Sequence, residues 1–157
     1  MLRKMIEQRL GINGMSTIEN GALVRFNKDD LIDGVYIVPK NVTVIKQYAF
    51  NNMAELKKVI LPKTIKRIEC LAFYNCGLEE IVVPEGITEI ETATFAKCSN
   101  LTKVVLPTTL KYIRTNAFAW CDSLEQIEVP KHAVVSKDAF GDSPKEVIYQ
   151  DDLEVTR

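Results

Sequence analysis

Along most of the chain, apolar and polar positions recur with a period of 22 or 23 residues. Prolines fall at Pro39, Pro62, Pro84, Pro107 and Pro130, and Phe50, Phe73, Phe95, Phe118 and Phe140 follow them by 11, 11, 11, 11 and 10 residues. Two residue types holding one register make the repeat the first fact about the fold. Just before each proline, apolar residues alternate: Val59 with Leu61, Ile81 with Val83, Val104 with Leu106, Ile127 with Val129. Alternation is the period of a short strand with one buried face. After each proline comes a pair spaced by three, such as Val42 and Ile45 or Ile65 and Ile68, which predicts a turn and a second extended segment. In the Ala-Phe-x-x-Cys element, alanine and cysteine are four apart and phenylalanine and cysteine three apart. One helical turn is therefore expected to aim all three inward.

A unit of about 23 residues cannot bury its own apolar face, whereas stacked copies share one continuous core. The expected fold is a repeat solenoid, mainly β with short helical turns, in which about five coils pair their strands in parallel at about 4.8 Å. At the start of the chain, Leu2, Met5, Ile6 and Leu10 form an apolar stripe that Gly11 would stop, predicting a short amphipathic helix. Asn20-Gly21 between MSTIE and ALVRF is a hairpin signal. Residues 1–34 read as an N-terminal helix and hairpin cap, with docking of the helix on a partner or membrane as the alternative. Residues 35–149 read as the repeats and 150–157 as a C-terminal tail. The last unit departs from the pattern, with Ser143, Pro144 and Gln150 at the cysteine, leucine and proline positions, as befits a stack that ends in water.

The units resemble the BspA-like class of leucine-rich repeats, which read close to Ala-Phe-x-x-Cys-x-x-Leu-x-x-Ile-x-Ile-Pro-x-x-[Val/Ile]-x-x-Ile. The resemblance covers about residues 35–149. It implies a right-handed leucine-rich-repeat coil, with protein binding or adhesion as the role and surface exposure in bacteria or some protists as the setting.

Charge narrows the partners. Twenty Lys and Arg against 21 Asp and Glu leave a formal charge of −1, so no bulk positive field attracts nucleic acid or an anionic membrane. The first residues show neither a long apolar run nor a small-residue cleavage site, and no stretch of about 18 apolar residues occurs. The chain therefore reads as cytoplasmic, or as surface-exposed or secreted if a leader was removed.

Candidate chemistry is thin. Cys76, Cys98 and Cys121 share one phase with Met53, and a thioether in that place favours packing. His132 lies in another phase and no Cys-x-x-Cys pair occurs, so no metal site and no cofactor is expected. Parallel Cβ vectors on adjacent coils would keep Cβ atoms near 4.8 Å, beyond the usual 3.5–4.5 Å of a disulfide, so reduced thiols are expected. Cys70 lies off the ladder, either as a partly exposed thiol or as a minor packing residue. A single histidine, with no nucleophile elbow, phosphate loop or zinc-protease motif, points away from an enzyme.

Rows of a solenoid can be read from the register. Ile37, Ile60, Val82, Val105 and Glu128, followed by Ile148, lie between buried strand positions and should line the exposed, concave face of the sheet. The neighbouring row supplies Lys58, Glu80, Lys103 and Gln126. An apolar stripe flanked by alternating charge suits a protein partner, although strand propensity alone also selects valine and isoleucine. Trp120, with Tyr48, Tyr74 and Tyr112, forms a second set that either binds or covers the outer turns. The expected function is a non-enzymatic protein-binding module using the concave face. The alternatives are a cytosolic inhibitor of a host enzyme complex, of phage or mobile-element type, and a fragment of a surface adhesin. Self-association into a homo-oligomer is a further option.

Overall fold

The structure, a computed structural model, describes residues 15–150. The helix expected over Leu2–Leu10 and the tail beyond Gln150 lie outside the described residues. The strands in chain order are β1 (Thr17–Glu19), β2 (Ala22–Arg25), β3 (Val35–Ile37), β4 (Val44–Ile45), β5 (Lys58–Ile60), β6 (Arg67–Ile68) and β7 (Glu80–Val82), then β8 (Glu89–Ile90), β9 (Lys103–Val105), β10 (Tyr112–Ile113), β11 (Gln126–Pro130), β12 (Val134–Val135) and β13 (Glu146–Gln150).

They stack as a β-solenoid. The pre-proline strands form one parallel ladder, β3-β5-β7-β9, and a second stretch, β11-β13. β9 and β11 lie in contact without belonging to one ladder. The post-proline strands form the opposite edge as β2-β4-β6 and β8-β10-β12. β1 joins antiparallel to β2 through Asn20 and Gly21, both with positive φ (49° and 77°), the turn that the Asn-Gly pair predicts. β2 in turn pairs in parallel with β4, so the hairpin extends the edge by one coil.

Between the two ladders runs the core. Phe50, Phe73, Phe95 and Phe118 are fully buried and stack almost face to face, with centroids 4.7, 5.2 and 5.3 Å apart. Phe140 continues the stack at 6.0 Å. At the other end, Phe26 sits 5.0 Å from Phe50 and donates its N–H to the Ala49 carbonyl, as Phe50 does to Ala72 one coil on. Strand residues that alternate inward, among them Val59, Ile81, Ile127 and Val129, fill the space on the pre-proline side.

The phenylalanine turns are not helical. Among the described residues the only helix is a 3-10 turn at Lys28–Asp30, capped by the Asn27 side chain on the Asp29 N–H. In each phenylalanine turn the backbone N–H groups alternate instead. Ala72 and Tyr74 donate to Glu69 and Leu71 within the turn, while Phe73 and Asn75 donate to Thr94 and Ala96 on the next coil. Left-handed residues at Leu71 and Asn75 (φ 58° and 54°) produce this alternation, and Tyr48 with Asn52, Ala93 with Lys97, and Asn116 with Trp120 repeat it. A helical turn would satisfy these donors locally and leave successive coils without hydrogen bonds along this side. Alanine, phenylalanine and cysteine still point together into the core, as Ala72, Phe73 and Cys76 show.

Candidate functional site: an apolar row on the main sheet

Short strands with period-two alternation put every second residue of the main sheet on the outer face. Ile37 pairs with Ile60, Val82 with Val105, and Glu128 with Ile148. Their side chains therefore form one row across the coils. Ile37, Ile60, Val82 and Val105 are exposed at 65, 44, 58 and 41%. Glu128 is exposed too, and its carboxylate accepts from the Gln150 amide on the last strand. The row therefore changes from apolar to polar at β11, where the ladder itself is interrupted.

Lys58, Glu80 and Lys103 lie in register on the adjacent row. Lys58 and Glu80 form an ion pair, and the hydrogen bond from Lys58 holds the Glu80 carboxyl below the usual carboxylate range. Ile60, Val82 and Val105 floor a shallow groove of about 530 Å³. Lys58, Glu80, Leu61, Lys63, Pro84, Glu85 and Leu106 line it as well. Strand alternation predicts a buried face for Leu61 and Leu106; both are half-buried, whereas Val83 and Val129 at the same pre-proline place are buried, so that place alone does not mark exposure. A groove of this kind could bury an apolar segment, with charges at its margins.

Trp120 lies elsewhere, 51% exposed on the row of the left-handed turns. Lys97 bridges it to Tyr74, with the ammonium 5.8 Å from the tryptophan ring and 5.5 Å from the tyrosine ring on neighbouring coils. Sequence reasoning named both aromatics but not the lysine between them, because one repeat's spacing does not show which neighbour a long side chain leans on. Tyr112 is on the opposite edge, with the Arg114 guanidinium 4.6 Å over its ring and Arg114 paired to Glu89 at 2.5 Å. The structure does not gather these aromatics with the apolar row.

The cysteine column is buried. Cys98 and Cys121 are fully buried, Cys76 is 4% exposed, and all four cysteines are free. Burial pushes the Cys76 and Cys121 thiols well up from their ordinary value. Among the described residues, no group of three or more His, Cys, Asp or Glu side chains is placed to hold a metal ion. Among them, too, no helix is long and apolar enough to cross a membrane.

Comparison with known proteins agrees with this architecture. The family model described as BspA type leucine-rich repeat region matches residues 25–146 in six copies. The fold is similar to that of a leucine-rich cell surface protein from Faecalibacterium prausnitzii, at 30% identity and a TM-score of 0.76, over 82% of this chain and 35% of that one. A leucine-rich repeat protein of T. pallidum matches at 28% identity and a TM-score of 0.59, over 73% of this chain and 59% of that one. A leucine-rich repeat protein of Bacteroides ovatus, at 22% identity and a TM-score of 0.63 over 82% and 40%, shares the fold. The chain thus spans between about a third and three fifths of these solved chains. No curated protein matches it.

Proposed function

This chain belongs to the BspA-type leucine-rich repeat family, and from that premise we propose that it is a non-enzymatic binding module that holds a protein partner on the outer face of its main sheet. The observation that carries this reading is the row Ile37, Ile60, Val82 and Val105, four exposed β-branched residues of which the last three line one groove. Leaving them in water forgoes burial free energy of roughly 25 cal/mol per Å², which docking recovers. The alternating Lys58, Glu80 and Lys103 beside them select a partner that offers an apolar segment edged by both charge signs. Glu128 marks the end of the contact.

The test is a pull-down from host extract with the protein carrying Ile60→Ser, Val82→Ser and Val105→Ser. These positions are about half exposed, so at about 0.5 kcal/mol each the stability should stay within about 1.5 kcal/mol of the parent. Capture should be lost, while a Tyr74→Ser, Trp120→Ser protein keeps it. Equal capture by the parent and the triple variant would refute the site.

A second reading concerns location. The similarity to a Faecalibacterium prausnitzii protein described as a cell surface protein favours display at the surface over the cytoplasm. Labelling of intact cells with a membrane-impermeant amine reagent separates the two: surface display predicts modified lysines, and a cytoplasmic protein stays unmodified until lysis.

A further inference from the structure

We propose that Cys76 and Cys98 form a latent disulfide site, a dithiol pair that a small-molecule disulfide oxidises to a covalent staple between adjacent coils. Their sulfurs are 3.5 Å apart, the one sulfur pair within hydrogen-bonding reach among the described residues. Cα atoms on neighbouring coils lie about 4.8 Å apart, inside the roughly 4.4–6.8 Å window of disulfides. Closing to a bond of about 2.0 Å moves the two sulfurs together by about 1.5 Å in all, by χ1 rotation together with an approach of the two turns that brings the Cβ atoms from the ladder spacing of about 4.8 Å into the roughly 3.5–4.5 Å range of disulfides.

The three rungs of the column are not equivalent. The Cys98 thiol donates to the Phe73 carbonyl at 3.1 Å and the Cys121 thiol to the Phe95 carbonyl at 3.2 Å. For Cys76 the structure records Cys98 as its side-chain sulfur partner. The difference follows from Gly77. Its N–H donates to Met53 at 2.9 Å, and a Cβ built there would stand 2.0 Å from the Ala54 carbonyl oxygen. The shortened turn presses onto the preceding coil, and Cys76 is left turned toward the coil that follows. Cys76 is also the one of the three cysteines with residual exposure, 4% against zero, so the first exchange is assigned to it.

The chemistry balances in two exchanges. The Cys76 thiolate attacks one sulfur of oxidised glutathione, breaking its S–S bond and releasing one glutathione thiolate, which takes up a proton. Cys98 then gives up its proton, attacks the Cys76 sulfur of the mixed disulfide and releases the second glutathione. Two protein thiols are oxidised and one glutathione disulfide is reduced. Burial raises the Cys76 thiol above its ordinary value, so the exchange quickens as pH rises.

The test uses the full chain, folded, incubated with oxidised glutathione at mildly alkaline pH. Trapping with iodoacetamide and peptide mass mapping follow. Two of the four thiols should become unreactive, the intact mass should fall by two hydrogens, and a Cys76–Cys98 linked peptide should appear. Tm should rise by several degrees and return on reduction. Cys70→Ser and Cys121→Ala should keep the link, whereas Cys98→Ser should stop at glutathione on Cys76. If Cys98→Ser fails to fold, the wild-type map decides alone. A folded, oxidant-treated protein whose Cys76 and Cys98 both still alkylate on denaturation would overturn the proposal, as would links dominated by Cys70 or Cys121.

Discussion

Replacing Phe95 by alanine should cost far more than replacing Phe140, although both hold the same place in the repeat. Phe95 is fully buried and lies between Phe73 at 5.2 Å and Phe118 at 5.3 Å, with ring planes 11° and 9° from parallel. Phe→Ala in a closed core costs about 3–5 kcal/mol, and the two lost ring pairs, worth about 0.5–1.5 kcal/mol each, place Phe95→Ala at the top of that range, about 5 kcal/mol. Phe140 has one stacked neighbour at 6.0 Å and is half-buried. Its truncation removes less transfer energy and leaves a space open to water, so about 1–2 kcal/mol is expected. Urea unfolding of the three proteins, followed by far-ultraviolet circular dichroism and by Trp120 fluorescence, measures the difference. Because each coil contacts only its neighbours, the Phe95 variant should also unfold less cooperatively, with a lower m-value. Equal costs at the two positions would refute the idea that the stacked column holds the coils together.

Three further outcomes follow from particular contacts. Gly77→Ala should destabilise the protein by about 2–4 kcal/mol, since the added methyl meets the Ala54 backbone and the Gly77 to Met53 hydrogen bond is lost with it; an unchanged urea midpoint would show that the coils relax freely there. At Glu69, burial raises the carboxyl's pKa, but hydrogen bonds from the Lys46 ammonium and the Gln47 N–H outweigh it and hold the pKa below the ordinary 4.5. The contribution is therefore present above pH 4.5 and lost as pH falls through the depressed folded-state value. Stability measured across acid pH should fall less steeply in Glu69→Gln than in the parent. Lys97→Ala should cost less than about 1 kcal/mol, yet it should change the emission of Trp120, whose ring the ammonium faces.

The coil count shows where local and tertiary signals part. From proline and phenylalanine spacing, five units are legible. The chain's β2 and Phe26 occupy the places of a further coil, and the matching family model counts six copies from residue 25. Phe26 is hidden because the proline and the cysteine of its unit are missing, so that only its ring against Phe50, tilted by 35°, and the parallel pairing of β2 mark it. The rows of the candidate site were legible for the opposite reason. In a solenoid the strand period and the repeat period together place every outer residue, and Ile37, Ile60, Val82 and Val105 are exposed where that arithmetic puts them.

The sequence by itself determined the solenoid, its register, its phenylalanine column and the residues that line each row, because all of these follow from periodicity. It did not determine the conformation of the phenylalanine turns or the environment of their cysteines. Spacings of three and four fit a helical turn and fit equally a chain that alternates right- and left-handed residues. Ordinary residues in the left-handed region cost about 1–2 kcal/mol each. Leu71 and Lys97 adopt it and thereby donate to Thr92 and Ala119 on the next coil, as Phe73 and Phe95 donate to Thr94 and Ala117. That gain exists only once a neighbouring coil is present. The same stacking brings Cys76 and Cys98 to 3.5 Å, a distance that no spacing of 22 residues encodes.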